Sequence, residues 1–188
     1  MPAGRKVYLA GPDVFLPNAP AHAERKRAIC ARHGLVALAP LNEDVASLAA
    51  MPEAEAWRMI FAKDMVMMAS ADLAIVNLTP FRGPSADAGT LVELGWFLGA
   101  GKQAFGYSNS ATLFAARNAA FLDGVPDTLA GLSVGGFGLA DNLMIPGALE
   151  RAGGLAMVLP QDGQDRAFDA LDVFERCVVL VAARLASG

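Results

Sequence analysis

Short apolar runs alternate with longer helical segments along most of the chain, and this alternation restricts the fold more than any other feature. It predicts βαβ units, in which successive strands run parallel. We expect a doubly wound α/β domain of the flavodoxin or Rossmann type, with a five-stranded parallel sheet flanked by helices. The predicted strands are residues 6–10, 35–38, 73–78, 103–107 and 155–159. The predicted helices are residues 20–33, 52–70, 88–100, 111–121 and 165–185.

The length and composition favour one apolar domain that assembles with copies of itself. A chain of 188 residues fits a single domain over residues 1–188. Hydrophobic residues make up 54% and charged residues only 18%, so the chain can build a core but has few charges to cover its surface. Monomers rarely expose large apolar patches, and we therefore expect a homo-oligomer, a dimer or larger.

Several broad classes of protein do not fit the sequence. The net charge of −4 lacks the excess of positive charge that is typical of proteins that bind a nucleic acid polymer. It is compatible with binding of a nucleoside or a small nucleotide. The uncharged apolar runs are too short for a membrane span, and residues 11–13 interrupt any signal sequence, so we expect a cytoplasmic protein. Cys30 and Cys177 are too few for a disulfide scaffold.

The common signatures of cofactor and metal chemistry are also missing. The first strand is not followed by G-x-G-x-x-G, and residues 99–103 lack the remaining positions of a phosphate-binding P-loop. Residues 106–110 have Ser110 where a nucleophile elbow requires glycine. His22 and His33 have no acidic or cysteine partner at ligand spacing. We therefore predict no cofactor and no metal, which leaves the carboxylates as candidate catalytic groups.

Asp64 is the first informative carboxylate, because it shares a helical face with Trp57, Ile60, Phe61 and Met68. Burying an unpaired carboxylate is unfavourable, so Asp64 either faces a polar cleft or accepts hydrogen bonds from a nearby loop. The helix is apolar on nearly every face, and Lys63 is adjacent to Asp64. The alternative is therefore that Asp64 lies at a solvent-exposed edge of the helix.

Residues 85–95 carry the strongest signal in the chain. They follow the apolar third strand and open a helix, where ligands bind in open α/β sheets. Gly89 permits close approach to the backbone, and Thr90 can cap the helix or touch a substrate hydroxyl. Glu93 lies one turn into an apolar helix, and its carboxylate is expected to point away from the apolar side chains and into the cleft. The alternative is a structural role, in which Asp87 caps the helix and Glu93 interacts favourably with the helix dipole.

Four motifs follow one another in a fixed order over residues 7–145. They are Val7-Tyr8-Leu9-Ala10-Gly11-Pro12 with Phe15, Asp64 ahead of Asp72-Leu73-Ala74-Ile75, Asp87-x-Gly89-Thr90-x-x-Glu93-Leu94-Gly95, and Asn142-Leu143-Met144-Ile145. In this combination the chain resembles the nucleoside 2-deoxyribosyltransferase family. Phosphoribohydrolases that resemble lysine decarboxylases share Gly-Thr-x-x-Glu, but they carry a Pro-Gly-Gly ahead of it that this chain lacks.

The resemblance implies a role for each catalytic candidate. Glu93 would attack the anomeric carbon of a 2'-deoxynucleoside and form a covalent deoxyribosyl ester, and a free nucleobase would then take the sugar. Asp64 would shuttle a proton to the departing base, and Asp87 would bind a sugar hydroxyl. Tyr8 would orient Glu93. Asn142 would be lent to the site by a neighbouring subunit.

The candidate substrate-binding residues lie in the same motifs. They are Gly11, Pro12, Phe15, Gly89, Thr90, Asn142 and Met144. Phe15 or Met144 would supply an apolar contact at the 2-position of the sugar, with core packing as the alternative for either side chain. Hydrolysis of a nucleoside or a nucleoside 5'-monophosphate is the competing activity. It is disfavoured by Asp13, which puts an acid where a phosphate would bind.

Two further hypotheses follow from the sequence. A non-catalytic nucleotide-binding module on the same sheet would not require Glu93. Residues 108–140 are longer and richer in glycine than a plain connection, and they are a candidate lid over the site.

Overall fold

The computed structural model describes residues 4–41, 50–123 and 131–187. Within these ranges a single sheet contains four strands: β1 (Arg5–Ala10), β2 (Leu35–Leu38), β3 (Leu73–Asn77) and β4 (Gln103–Tyr107). The same ranges hold six α-helices: α1 (Ala19–Arg32), α2 (Glu53–Ser70), α3 (Ala88–Gly99), α4 (Phe114–Leu122), α5 (Met144–Gly153) and α6 (Asp172–Ala186). A short 3₁₀ helix at Pro12–Phe15 follows β1.

The strand order places a crevice between β1 and β3. The strands are parallel and lie in the order β2-β1-β3-β4. The chain therefore turns to one side of β1 to form β2 and then crosses to the other side to form β3. In open parallel sheets, ligands bind beyond the carboxyl ends of the strands at this reversal point. The 3₁₀ helix and the amino end of α3 lie at that edge.

The predicted five-stranded sheet is wrong by one strand. Val158 pairs with β4 through a single bridge to Tyr107, in which the Val158 amide donates to Gly106 at 2.9 Å and its carbonyl accepts from Ser108 at 2.9 Å. The next donor on that side belongs to residue 160, which is a proline and has no N–H. The pairing therefore stops after one residue, and residues 155–159 do not form a strand.

Side chains alternate between two cores on opposite faces of the sheet. Val7 and Leu9 of β1 pack with α1 and α6, whereas Tyr8 and Ala10 pack with α2, α3 and α5. All five residues of β3 are buried, as expected for a strand covered on both faces. The alternation directs Tyr8 into the same layer as the two helices that carry Asp64 and Glu93.

The helices differ from the prediction mainly in the last third of the chain. The final helix begins at Asp172 rather than near residue 165. Asp165 instead accepts hydrogen bonds from the amides of Ala111 and Thr112, and Arg166 pairs with Asp162 and Asp172. Helix α5 was not predicted. The candidate lid at residues 108–140 lies partly outside the described residues. Where helices are described, none combines the length and the apolarity needed to cross a bilayer.

Candidate functional site

The amino end of α3 is shaped by the Asp87 side chain. Asp87 caps the helix: its Oδ2 accepts from the Thr90 amide at 3.0 Å and from Thr90 Oγ1 at 3.1 Å. The Thr90 hydroxyl is thereby committed to the cap and buried. Gly89, Val92, Glu93 and Trp96 follow at the i, i+3, i+4, i+7 spacing, which places them on one helical face lining a cleft.

Glu93 is held by a hydrogen bond from the neighbouring strand. Tyr8 Oη donates to Glu93 Oε1 at 2.5 Å, across 85 residues of sequence. Burial and the negative charge of Glu93 keep the pKa of Tyr8 far above its usual value, so the phenol stays a neutral donor. One carboxylate oxygen of Glu93 is therefore oriented by the sheet.

Asp64 reaches the same cleft from α2. Asp64 shares its face with Phe61, Met65 and Met68, again at helical spacing. The carboxyl end of this helix is fixed by Lys102, whose Nζ donates to the carbonyls of Ala69 and Ala71 at 2.6 Å each. Trp57, which the sequence placed on this face, is exposed and does not line the cleft.

The cleft between these elements has a volume of about 720 Å³ and a mainly apolar wall. Three carboxylates, Asp64, Asp87 and Glu93, converge on it. The lining residues that the structure describes include no lysine, arginine or histidine. They are Gly11, Pro12, Val14, Phe15, Pro40, Ile60, Phe61, Asp64, Met65, Met68, Asp87, Gly89, Thr90, Val92, Glu93 and Trp96. The site therefore suits a neutral, partly apolar ligand rather than an anion.

The carboxylates of the cleft are less acidic than usual. Burial, together with the charges of Asp64 and Asp87, raises the pKa of Glu93 to about 7, against the opposing effect of the Tyr8 hydrogen bond. Burial also raises the pKa of Asp64. With a pKa of about 7, Glu93 is present in both its ionised and its protonated form near neutral pH, and the ionised form can act as a nucleophile.

Ionisation of Glu93 is expected to reduce stability as the pH rises. Its pKa is raised from the ordinary value of 4.5 to about 7 in the folded chain. The stability that the protonated Glu93 contributes to the folded chain is therefore complete below about pH 4.5 and is lost as the pH rises through 7. Glu93→Gln keeps an acceptor for Tyr8 but cannot ionise. We expect the free energy of unfolding of Glu93→Gln, relative to the unmodified chain, to increase by about 2 to 3 kcal/mol between pH 4 and pH 9.

Urea unfolding of both proteins at the two pH values measures this difference. Glu150→Gln, on the exposed face of α5, serves as the control and is expected to show no such change. An equal pH dependence for Glu93→Gln and the unmodified chain would contradict the assignment of a buried, ionising Glu93.

The first loop forms the second wall of the cleft. Gly11 has φ of +151°, and a Cβ there would lie 2.6 Å from Cβ of Asn77, so only glycine allows the loop to pass this close to β3. Pro12 and Phe15 follow and line the cleft. Phe15 is 65% exposed, and its ring stacks on Phe81 with 5.5 Å between centroids.

Asp13 does not face the cleft, which corrects the argument from sequence that its charge would repel a phosphate there. Its carboxylate accepts from Lys26 Nζ at 3.0 Å and from Asn77 Nδ2 at 3.1 Å, and it contacts His22 Nε2 at 3.1 Å. These contacts hold the pKa of Asp13 well below its usual value despite burial. Lys26 also donates to Tyr107 Oη at 3.2 Å. Asp13 therefore anchors the loop to the sheet.

A comparison with known proteins identifies the family of the chain. The model of the nucleoside 2-deoxyribosyltransferase family matches residues 7–144. The chain belongs to this family. The matched segment runs from the residue before Tyr8 to Met144, so it contains every site residue predicted from the sequence.

Relatives of known sequence or structure show how far the likeness extends. An uncharacterized protein of Schizosaccharomyces pombe is 31% identical over 200 residues, covering 96% of this chain and 90% of the relative. A 2-deoxyribosyltransferase from Leishmania mexicana is 29% identical, with a TM-score of 0.61, and the match covers 95% of this chain and 97% of that one. A conserved protein from Enterococcus faecalis shares the fold at 19% identity, with a TM-score of 0.53 and coverage of 95% and 99%.

Two of the family-derived residues are not brought to the cleft of their own chain. Asn142 is exposed, and its Oδ1 accepts from the Met144 amide at 3.1 Å. Met144 is 71% exposed. Neither side chain lines the cleft that contains Glu93. The structure of one chain therefore joins Tyr8, Asp64, Asp87 and Glu93 and leaves Asn142 and Met144 outside.

Several residues of the cleft and of its first loop were not predicted from the sequence. Val92 and Trp96 line the cleft, and their i+3 and i+7 spacing from Gly89 was sufficient to place them there. The contact of Lys26 with Asp13, which anchors the first loop, carried no such signal, because it joins α1 to that loop. In the described part of the chain, no group of three or more histidine, cysteine, aspartate or glutamate residues is arranged to hold a metal ion.

Proposed function

We propose that this chain transfers 2-deoxyribose between nucleobases through a covalent deoxyribosyl ester on Glu93, with retention at the anomeric carbon. One observation carries the proposal: Glu93 lies at the reversal point of the sheet, oriented by Tyr8 at 2.5 Å and flanked by Asp64 and Asp87 in one cleft. Two carboxyl roles are needed to cleave an N-glycosidic bond by double displacement, and this cleft offers both.

The first half-reaction breaks the bond between the sugar and the donor base. A carboxylate oxygen of Glu93 attacks C1' while the electron pair of the glycosidic bond moves to the base nitrogen. Asp64 donates its proton to the base, so that the base leaves as a neutral molecule. The sugar passes through an oxocarbenium-like state, which the negative charge of Glu93 stabilises.

The second half-reaction reverses these steps with another base. A nitrogen of the acceptor base attacks C1' from the face the donor base left, and the ester bond breaks with its electrons returning to Glu93. The proton of the acceptor nitrogen passes to Asp64, which restores the starting state. Two inversions at one carbon give overall retention.

The remaining residues of the cleft favour an unphosphorylated 2'-deoxynucleoside as the substrate. Asp87 binds a sugar hydroxyl, close to Gly89 and Thr90, while Pro12 and Phe15 form the facing wall. Phe15 supplies the apolar contact near the 2-position of the sugar. The absence of a cationic side chain among the described lining residues disfavours a 5'-phosphate.

The site is completed by a second copy of the chain in this proposal. Asn142 and Met144 are exposed and lie outside their own cleft, and Trp57, Phe61 and Val66 present apolar surface on α2. An oligomer covers such surface, and Asn142 then reaches the sugar bound in the neighbouring subunit.

Incubation with deoxyinosine and adenine tests the proposal against hydrolysis. We expect deoxyadenosine to form faster than free deoxyribose accumulates, because the apolar cleft stacks the acceptor base above the ester and limits water. Chromatography of nucleosides, bases and sugar over time measures both rates. Inosine and deoxyinosine 5'-monophosphate, as matched donors, are expected to react more slowly than deoxyinosine.

The opposite order of products would assign the protein to the hydrolases. The observation that favours this second function is the exposure of Phe15, which leaves the cleft of a single chain open to solvent. Deoxyinosine 5'-monophosphate as the best donor would contradict the proposed substrate class. Binding without any turnover would indicate a nucleotide-binding module.

A further inference from the structure

A buried carboxylate without a role in the proposed reaction lies behind the amino end of α3. Asp141 is 1% exposed. Its Oδ1 accepts from Ser85 Oγ at 2.6 Å and from the Asn142 amide at 2.8 Å, and its Oδ2 accepts from the Ala86 amide at 3.1 Å. Burial of a carboxylate is unfavourable unless hydrogen-bond donors such as these surround it.

Arg117 of α4 closes the arrangement from the other side. Its Nε donates to the carbonyl of Pro84 at 2.7 Å, and its Nη2 donates to the carbonyl of Ala140 at 2.7 Å and lies 3.4 Å from Asp141 Oδ2. Asp141 and Arg117 are together called the clasp. Their hydrogen bonds join residues 84–86 to residues 140–142.

The residues that the clasp holds are adjacent in sequence to the cleft residue Asp87. Ala86 is followed directly by Asp87, the cap of α3. One oxygen of Asp87 is bound by Thr90, so the direction of the other oxygen depends on how the backbone enters the cap. Ser85 and Ala86 set that entry, and both are held by Asp141. A shift of their backbone would therefore rotate the Asp87 carboxylate, whereas the hydrogen bond from Tyr8 to Glu93 joins β1 to α3 and does not involve these residues.

We propose that Asp141 is a positioning residue that sets the Asp87 carboxylate for recognition of a sugar hydroxyl. The inference rests on the proposed function, because it assumes that a deoxynucleoside occupies the cleft. It adds that discrimination for the hydroxyl is determined by a residue that does not touch the substrate. Misplacement of a binding group by a fraction of an ångström is sufficient to weaken a charge-assisted hydrogen bond.

The test compares donors that differ by one hydroxyl. The kcat/KM for base exchange onto adenine is measured with deoxyinosine, with 2',3'-dideoxyinosine and with 2',5'-dideoxyinosine. Asp87→Asn identifies the hydroxyl that matters as the one whose preference it lowers. The ratio of kcat/KM for deoxyinosine to that for the matching dideoxy analogue does not depend on how much enzyme is folded, so a purely structural defect leaves it unchanged.

Asp141→Asn is expected to lower this ratio by about threefold to tenfold, in the same direction as Asp87→Asn. Ser85→Ala removes a single hydrogen bond of the clasp and is expected to lower it less. It decides the question if Asp141→Asn does not fold. Asp165→Asn is the matched control: it neutralises a carboxylate that likewise accepts from backbone amides, those of Ala111 and Thr112 after β4, and is expected to keep the ratio.

Three results would overturn the inference. The ratio could fall in Asp87→Asn alone, it could fall equally in Asp165→Asn, or it could change in none of the variants. A lack of base exchange by the unmodified protein is a different failure, since it removes the proposed function and this inference with it.

Discussion

Glu93→Gln is expected to lower the kcat of base exchange by at least about 1,000-fold, with the fold intact. The amide has the shape of the carboxylate and still accepts a hydrogen bond from Tyr8, but it is neutral and a poor nucleophile. In a serine protease, loss of the covalent nucleophile lowers kcat by a factor on the order of 10⁶. The rate of deoxyadenosine formation from deoxyinosine and adenine measures the effect, and Glu93→Ala is expected to behave alike.

The nucleophile can also be identified directly. A 2'-fluoro-2'-deoxynucleoside destabilises the oxocarbenium-like state and is expected to leave a fluorinated pentosyl adduct on Glu93, visible in the intact mass and in the peptide that contains this residue. Glu150→Gln, an exposed carboxylate on α5, is the matched control and is expected to exchange bases and form the adduct normally. Near-normal exchange by Glu93→Gln, or an adduct elsewhere, would refute the assignment.

Asp64→Asn is expected to reduce kcat/KM for deoxyinosine by about 100-fold to 1,000-fold, within the range typical of general acid catalysis. The loss depends on the leaving group. An N7-methylated purine deoxynucleoside releases a base that needs no proton, so its kcat/KM is expected to fall by less than about tenfold. Steady-state rates with the two donors measure the difference.

Asp72→Asn is the natural control for this experiment. Asp72 lies eight residues further along the chain, and its carboxylate accepts from the Lys6 amide at 2.7 Å at the amino end of the sheet, away from the cleft. It is expected to leave both donors unaffected. An Asp64→Asn variant that slows both donors equally would show that Asp64 acts on the sugar or on the fold and not as the proton donor.

The part of the site formed by β3 and α3 was predictable because its signals are local. An apolar run, a loop rich in turn residues, a capping aspartate and an acid one turn into the helix all lie within residues 73–95. The structure places β3 at Leu73–Asn77 and α3 at Ala88–Gly99, and Asp87 is the cap. Their catalytic roles remain proposals that the experiments above test.

The meeting of Tyr8 with Glu93 was not readable from spacing alone. It requires β1 and β3 to pair in parallel and Tyr8 to point toward the helices that cover one face of the sheet. The family resemblance named Tyr8, but the strand pairing and its alternation explain why that residue, and not Val7 or Leu9, reaches Glu93.

The clearest errors came from groups whose partners lie far away in the sequence. Asp13 was expected to face the site, but Lys26 and His22 draw it inward. The fifth strand was expected from its apolar residues, and it is reduced to one bridge because Pro160 cannot donate the next hydrogen bond. Whether an apolar segment joins a sheet depends on the register it meets, which the segment does not encode.

The sequence by itself determined the α/β class, the main strands and helices of the first hundred residues, and the family. It could do so because hydrophobic periodicity, turn residues and helix caps act over a few neighbouring positions. Tertiary structure alone decided the number of strands, the inward orientation of Asp13, the exclusion of Asn142 and Met144 from their own cleft, and the clasp of Asp141 and Arg117. Each of these depends on burial and on hydrogen bonds between distant segments, and those exist only once the chain has folded.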